Sequence, residues 1–186
     1  MALGPEALGF IRCSEGVGQS TGISPLAYPY MNAHDLIKKQ HQEVADAYAS
    51  FKTAPDDDRK EDLAKKILTD LTVHAAIEEE LYYPALEDAG EEEMVEDFKK
   101  DHNEMKLRVA ALTVMDEDWK GYDERMAKLM DSVMAHVAVE ESDEMPRAEE
   151  ILGDTKLEEL GTQMEARSKE LQQSTMQRLW AAVPKP

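Results

Sequence analysis

Six side chains, His41, His74, His102, His136, Glu78 and Glu140, are spaced so that a single buried cluster could use them all to hold metal. Each glutamate follows a histidine by four residues, in His74–Glu78 and again in His136–Glu140. That spacing sets imidazole and carboxylate on one face of a helix about one turn apart, where both can approach the same ion. One such pair arises by accident on many surface helices and decides nothing. The positions of the other histidines decide it. The midpoint of His41 and His74 falls in APDDDRK, that of His74 and His102 on Asp88 beside Gly90, and that of His102 and His136 on Trp119 within DEDWKGYDE. All three midpoints are turn-like, and in an antiparallel helical bundle residues equidistant from a turn share a height. The same rule puts Glu78 and Glu140 together in the layer beside the histidines.

Both glutamates lie on apolar stripes, where an uncompensated charge would be costly. A cation is the economical companion. If both bridge, each of two metals receives roughly four protein bonds, leaving positions for an oxo or hydroxo bridge and an exogenous small molecule. Imidazole plus carboxylate suits iron, and less selectively manganese or zinc. Two iron ions with only two carboxylates stay net positive, so an oxide, hydroxide or peroxide is electrostatically welcome. Three further residues are candidates for an additional ligand or for a polar layer next to the metals. Tyr82 stands one turn beyond Glu78, His34 two turns before His41, and Glu144 near the same height.

Helices must carry these residues. Apolar stripes predict them near 33–52, 57–88, 91–115 and 121–143. Ile37, His41, Val44, Tyr48 and Phe51 line the first; Val95, Phe98, His102, Met105, Val109 and Leu112 the third; Met126, Leu129, Val133, His136 and Glu140 the fourth. Asn32 suits a first cap, Pro55 with Asp56–Asp58 a second start, and Gly90 a stop. The pattern breaks after Met145–Pro146. Beyond Gly153, Thr155 and Glu158 resemble a capping box ahead of a stripe of Leu157, Leu160, Met164 and Leu171, which predicts a fifth helix. That helix could cover its own bundle or pair with a second copy as a homodimer. The expected class is all-α, an antiparallel up-down four-helix bundle over 32–145 with a C-terminal helix and tail over 146–186. Residues 1–31 read as a flexible leader, with five of the nine glycines and three charged residues before position 31.

Composition excludes some partners. A net charge of −19 repels phosphate backbones and anionic lipid, so nucleic acid and membrane are set aside. No stretch approaches the roughly 20 apolar residues of a membrane span. The single Cys13 cannot form an intrachain disulfide, and a reducing cytoplasm is the simplest compartment.

At DLIKKQHQEV, HAAIEEELYYPAL, KKDHNEM and HVAVEESDEMP the chain resembles the hemerythrin-like, or HHE cation-binding, family of bacterial non-haem di-iron bundles. The resemblance covers roughly residues 32–145. It implies that His41, His74, His102 and His136 ligate iron and that Glu78 and Glu140 bridge the ions. Two departures stand out. Oxygen-carrying hemerythrins have a second histidine on the third helix where this chain has Lys106, and their final carboxylate is an Asp five residues after its histidine. Simple oxygen carriage is therefore not the expected role. The expectation is a di-iron protein that binds and reacts with peroxide, O2 or NO, as an oxidoreductase, with reversible O2 or iron binding and sensing as the alternative.

Overall fold

The computed structural model describes residues 31–115 and 119–180, apart from the side chains of residues 119, 120, 179 and 180. Residues 1–30 of the leader lie outside the described residues. Asn32 accepts from the Asp35 N–H at 2.9 Å and starts α1, Ala33–Lys52; Asp56 accepts from the Arg59 N–H at 2.8 Å and starts α2, Asp57–Ile77. A π turn, Glu78–Tyr82, continues α2 into the short α3, Tyr83–Asp88. Gly90, at φ 96°, ends this rod: its N–H reaches Glu87 O and that of Glu91 reaches Leu86 O, a Schellman closure needing the left-handed conformation glycine tolerates. Next come α4, Glu92–Thr113, and α5, Trp119–Val139. A second π turn, Glu140–Glu144, leads into α6, Met145–Trp180.

The fold is the all-α bundle expected, with one correction. The helical path does not stop at Met145–Pro146 but runs through both, and the break comes at Gly153, φ 71° and ψ 165°. There the chain turns back, and the rest of α6 buries Leu157, Leu160, Met164 and Leu171 with Ala33, Leu36, Ile37 and Val73 of α1 and α2. The stripe that could have met a second copy is spent within the chain. At Gly161 a Cβ would collide with the backbone of Met31, Asn32 and Ala33, so α6 lies backbone to backbone on the entry to α1. Among the described residues no helix is long and apolar enough to cross a membrane.

Two apolar clusters fill the bundle. One gathers Val44, Phe51, Ile67, Leu71, Met105, Val109, Met126, Leu129 and Val133; the other Ile37, Ile77, Tyr82, Tyr83, Val95, Phe98, Met145 and the α6 stripe. Along α1 the order is Ile37, His41, Val44, and along α4 it is Phe98, His102, Met105. The histidine layer thus sits at the waist between two oily halves, where water is scarce and any charge must find a local partner.

Candidate metal centre

All six residues are buried. Glu78, Glu140 and His102 are 0% exposed, and His136, His74 and His41 are 4%, 5% and 9%. The mirror rule holds in space: His41 and His74 rings lie 4.9 Å apart between centroids, and His102 and His136 4.8 Å. His74 Nε2 stands 3.2 Å from Glu78 Oε1, and His102 Nε2 3.3 Å from Glu78 Oε2. On the other side Glu140 Oε2 is 3.1 Å from His41 Nε2 and 3.6 Å from His136 Nε2.

The donor atoms fall into two groups, each spanning no more than 4.8 Å: His74, Glu78, His102 and His136, and His41, His74, Glu78 and Glu140. Donors around one first-row ion lie roughly 3 to 4.3 Å apart for bonds of about 2.1 Å. Either group therefore needs only small adjustments to close on a cation. His74 and Glu78 belong to both.

The outer nitrogens explain how the rings are aimed. His41 Nδ1 meets Glu141 Oε1 at 2.8 Å, His74 Nδ1 meets Gln40 Oε1 at 3.0 Å, and His102 Nδ1 meets Glu79 Oε1 at 3.2 Å. A carboxylate or amide oxygen only accepts, so each Nδ1 carries the proton, and in the neutral ring each Nε2 turns a lone pair inward. Asp101 Oδ2 takes the corresponding place behind His136 Nδ1, at 3.7 Å. Lys106, where oxygen carriers have another histidine, pairs with both oxygens of Glu79. The position is used to neutralise the carboxylate behind His102.

Without metal, the layer balances its carboxylates by charging two of its four rings. Burial pushes His74 down to about 3 and His136 to about 4, leaving both neutral. Burial also opposes charge on His41 and His102, but Glu140 with Glu141, and Glu78 with Glu79, outweigh it and lift both to about 9. Glu140 is pushed up to about 7 by burial and by the charge of Glu78, and Glu144 to about 10 by burial, Glu140 and Glu78. His41 Nε2, Glu78 Oε1 and both oxygens of Glu140 are buried without a hydrogen-bond partner. Unpartnered buried atoms converging from three segments, α1 and the two π turns, are what a cation site requires, so the residues fit metal ions.

Beside the rings is a cavity of about 30 Å³, walled chiefly by Val44, Leu71, Met105, Val109, Val133 and Val137. That is room for a diatomic or a water-sized species.

Of the three extra candidates, His34 and Glu144 fall outside both donor groups. His34 Nε2 pairs with Tyr82 OH at 2.9 Å, forming the neighbouring polar layer, and Glu144 is buried with both oxygens unpaired. A further tyrosine, Tyr83, reaches the ligands: its hydroxyl donates to Glu78 Oε2 at 3.4 Å and lies 3.3 Å from His102 Nε2. Sequence reading missed it because a regular helix buries Tyr82 and turns Tyr83 aside. In the π turn the Tyr83 N–H bonds to Glu78 O, five residues back, and this wider winding leaves both tyrosines 0% exposed. The second π turn repeats the device, burying Glu144 and Met145 together. A signal existed: Pro84 and Pro146 each stand six residues after a cluster glutamate. A proline ring crowds the carbonyl four residues back, and in both places that carbonyl lies inside the widened turn.

Comparison with known proteins decides the family. Residues 32–148 match the hemerythrin HHE cation binding domain. The chain belongs to this family. This hemerythrin-like chain is 31% identical over 148 residues to an uncharacterized protein of Mycobacterium tuberculosis, covering 78% of this chain and 91% of the relative. It is 27% identical over 143 residues to a DNA nickase of Nostoc, covering 77% of this chain but 41% of that protein. In structure it superposes with a TM-score of 0.71 and 27% identity on a hemerythrin HHE cation binding domain-containing protein of Mycobacterium kansasii, covering 81% of this chain and 93% of the other. As a hemerythrin-like domain it binds metal ions, and the His/Glu cluster stands where they would lie.

Proposed function

We propose that His41, His74, His102, His136, Glu78 and Glu140 hold two iron ions, and that this centre binds and reacts with a small oxygen or nitrogen oxide species: peroxide, O2 or NO. The observation that carries this reading is that Glu78 belongs to both donor groups, with Oε1 turned to His74 and Oε2 to His102, which suits a pair of ions joined by a common carboxylate. When bound, iron supplies redox equivalents and Lewis acidity with positions open to an exogenous ligand. The protein does the rest. Carboxylate and amide partners on the Nδ1 atoms fix ring orientation and basicity. The apolar walls exclude bulk water and bound the size of the guest. Tyr83 places one hydroxyl proton at Glu78 Oε2, beside the reacting layer. Reversible binding without turnover is favoured by one feature, the lack of any acidic side chain along the cavity wall among the described residues.

The test is consumption of peroxide and NO, and reversible uptake of O2, by iron-loaded and metal-free protein. Consumption that depends on iron supports an oxidoreductase; reversible O2 uptake alone supports the second reading; indifference to all three overturns both. Tyr83→Phe is expected to keep its iron yet lose about tenfold in the rate of whichever species is consumed, because only the hydroxyl at Glu78 has gone. Metal analysis beside the rate checks this, and an unchanged rate assigns Tyr83 to packing alone.

A further inference from the structure

The two residues common to both donor groups are the two braced from α6. Behind His74, Gln40 accepts from Nδ1 with its amide oxygen, and its amide nitrogen donates to Ser168 Oγ at 3.4 Å. Glu80, two residues beyond Glu78 in the π turn, is gripped by Arg167: Nε to Oε2 at 2.6 Å and Nη2 to Oε1 at 3.2 Å, a bidentate clamp. Arg167 and Ser168 are neighbours on a segment that lies beyond the family match, which ends at residue 148. The contact of Gly161 with the backbone at Met31–Ala33 fixes the height of that segment against α1, so both braces arrive in register.

We infer that Arg167 and Ser168 are positioning residues for the metal centre, acting through Glu80 on Glu78 and through Gln40 on His74. The inference rests on the metal-site reading above. The hydrogen-bonded amide of Gln40 presents its oxygen to Nδ1 and keeps it from rotating. Nothing comparable among the described contacts reaches Glu140 from α6, so the bracing is one-sided and falls on the two residues common to both donor groups.

Cobalt(II) titration of the metal-free full chain, followed by visible absorption, tests this. Arg167→Gln with Ser168→Ala is expected to weaken binding by about 10- to 100-fold and to shift the ligand-field bands. Ser168→Thr keeps the hydroxyl and is expected to match wild type. Lys169→Gln, which removes an α6 ion pair with Glu165 away from the site, is a control expected to do the same. If the double variant folds poorly, Ser168→Ala alone is expected to weaken binding several-fold. Wild-type affinity and bands in the variants overturn the positioning role. If wild type itself gives no cobalt bands, the metal-site reading fails first and the inference with it.

Discussion

Glu78→Ala is expected to empty the whole centre, whereas His136→Ala is expected to empty only part of it. Glu78 offers one oxygen towards His74 and the other towards His102, and it appears in both donor groups; His136 appears in one. Losing a shared carboxylate removes a bond from each ion and leaves His102 without its charged neighbour at 3.3 Å. Iron per chain should fall from about two to near none in Glu78→Ala, and to about one in His136→Ala. Elemental analysis of the purified variants checks both. Equal loss in the two would mean that the ions bind only as a unit, and retention of iron by Glu78→Ala would remove the shared-ligand reading.

The second large effect is on stability. With Glu78 Oε1 and both oxygens of Glu140 buried without a hydrogen-bond partner, the metal-free layer is a cost at the centre of the bundle. Metal is expected to raise the melting temperature strongly. At a free concentration about 1,000 times Kd, one site contributes about 4 kcal/mol, which for a chain of this size corresponds to about 8 to 16 °C. A chelator should reverse the gain. Glu140→Gln should behave in the opposite sense in the metal-free protein, since burial and the charge of Glu78 already push this carboxyl up to about 7. Above that pH the native carboxylate is charged against its environment, and the neutral amide is expected to stabilise by about 1 to 2 kcal/mol while weakening metal binding. Calorimetric scans with and without metal separate the two signs. A metal-free Glu140→Gln that melts below wild type would show that the carboxylate is already well satisfied by His41.

These effects depend on features that differ in how plainly the chain displays them. The four histidines were legible because turns sit at their midpoints and each occupies an apolar stripe; a height in an antiparallel bundle is then arithmetic. The stops and starts at Asn32, Asp56 and Gly90 were legible because each uses a residue whose backbone or side chain suits that cap. The π turns were not. One extra residue per turn leaves the apolar pattern on either side intact and shifts only the residues beyond it, so Tyr82 stood out on the stripe and Tyr83 did not. The proline at the sixth position after each glutamate was the mark of that shift. The partner of the fifth helix was illegible for another reason: an apolar stripe states that something is covered, not which surface covers it. Gly161, pressed on Met31–Ala33, marks the answer in space but has no pattern of its own in sequence. Lys106 likewise read as a missing ligand until Glu79 supplied its partner.

Anomalous diffraction at the iron edge, from crystals of iron-loaded protein, bears most directly on the centre. Two peaks about 3.5 to 4 Å apart, flanked by His102 with His136 on one side and His41 with Glu140 on the other, with Glu78 between them and His74 on one of the two, are the expected result. A single peak, or iron held only by surface carboxylates with the six buried side chains left empty, would contradict it.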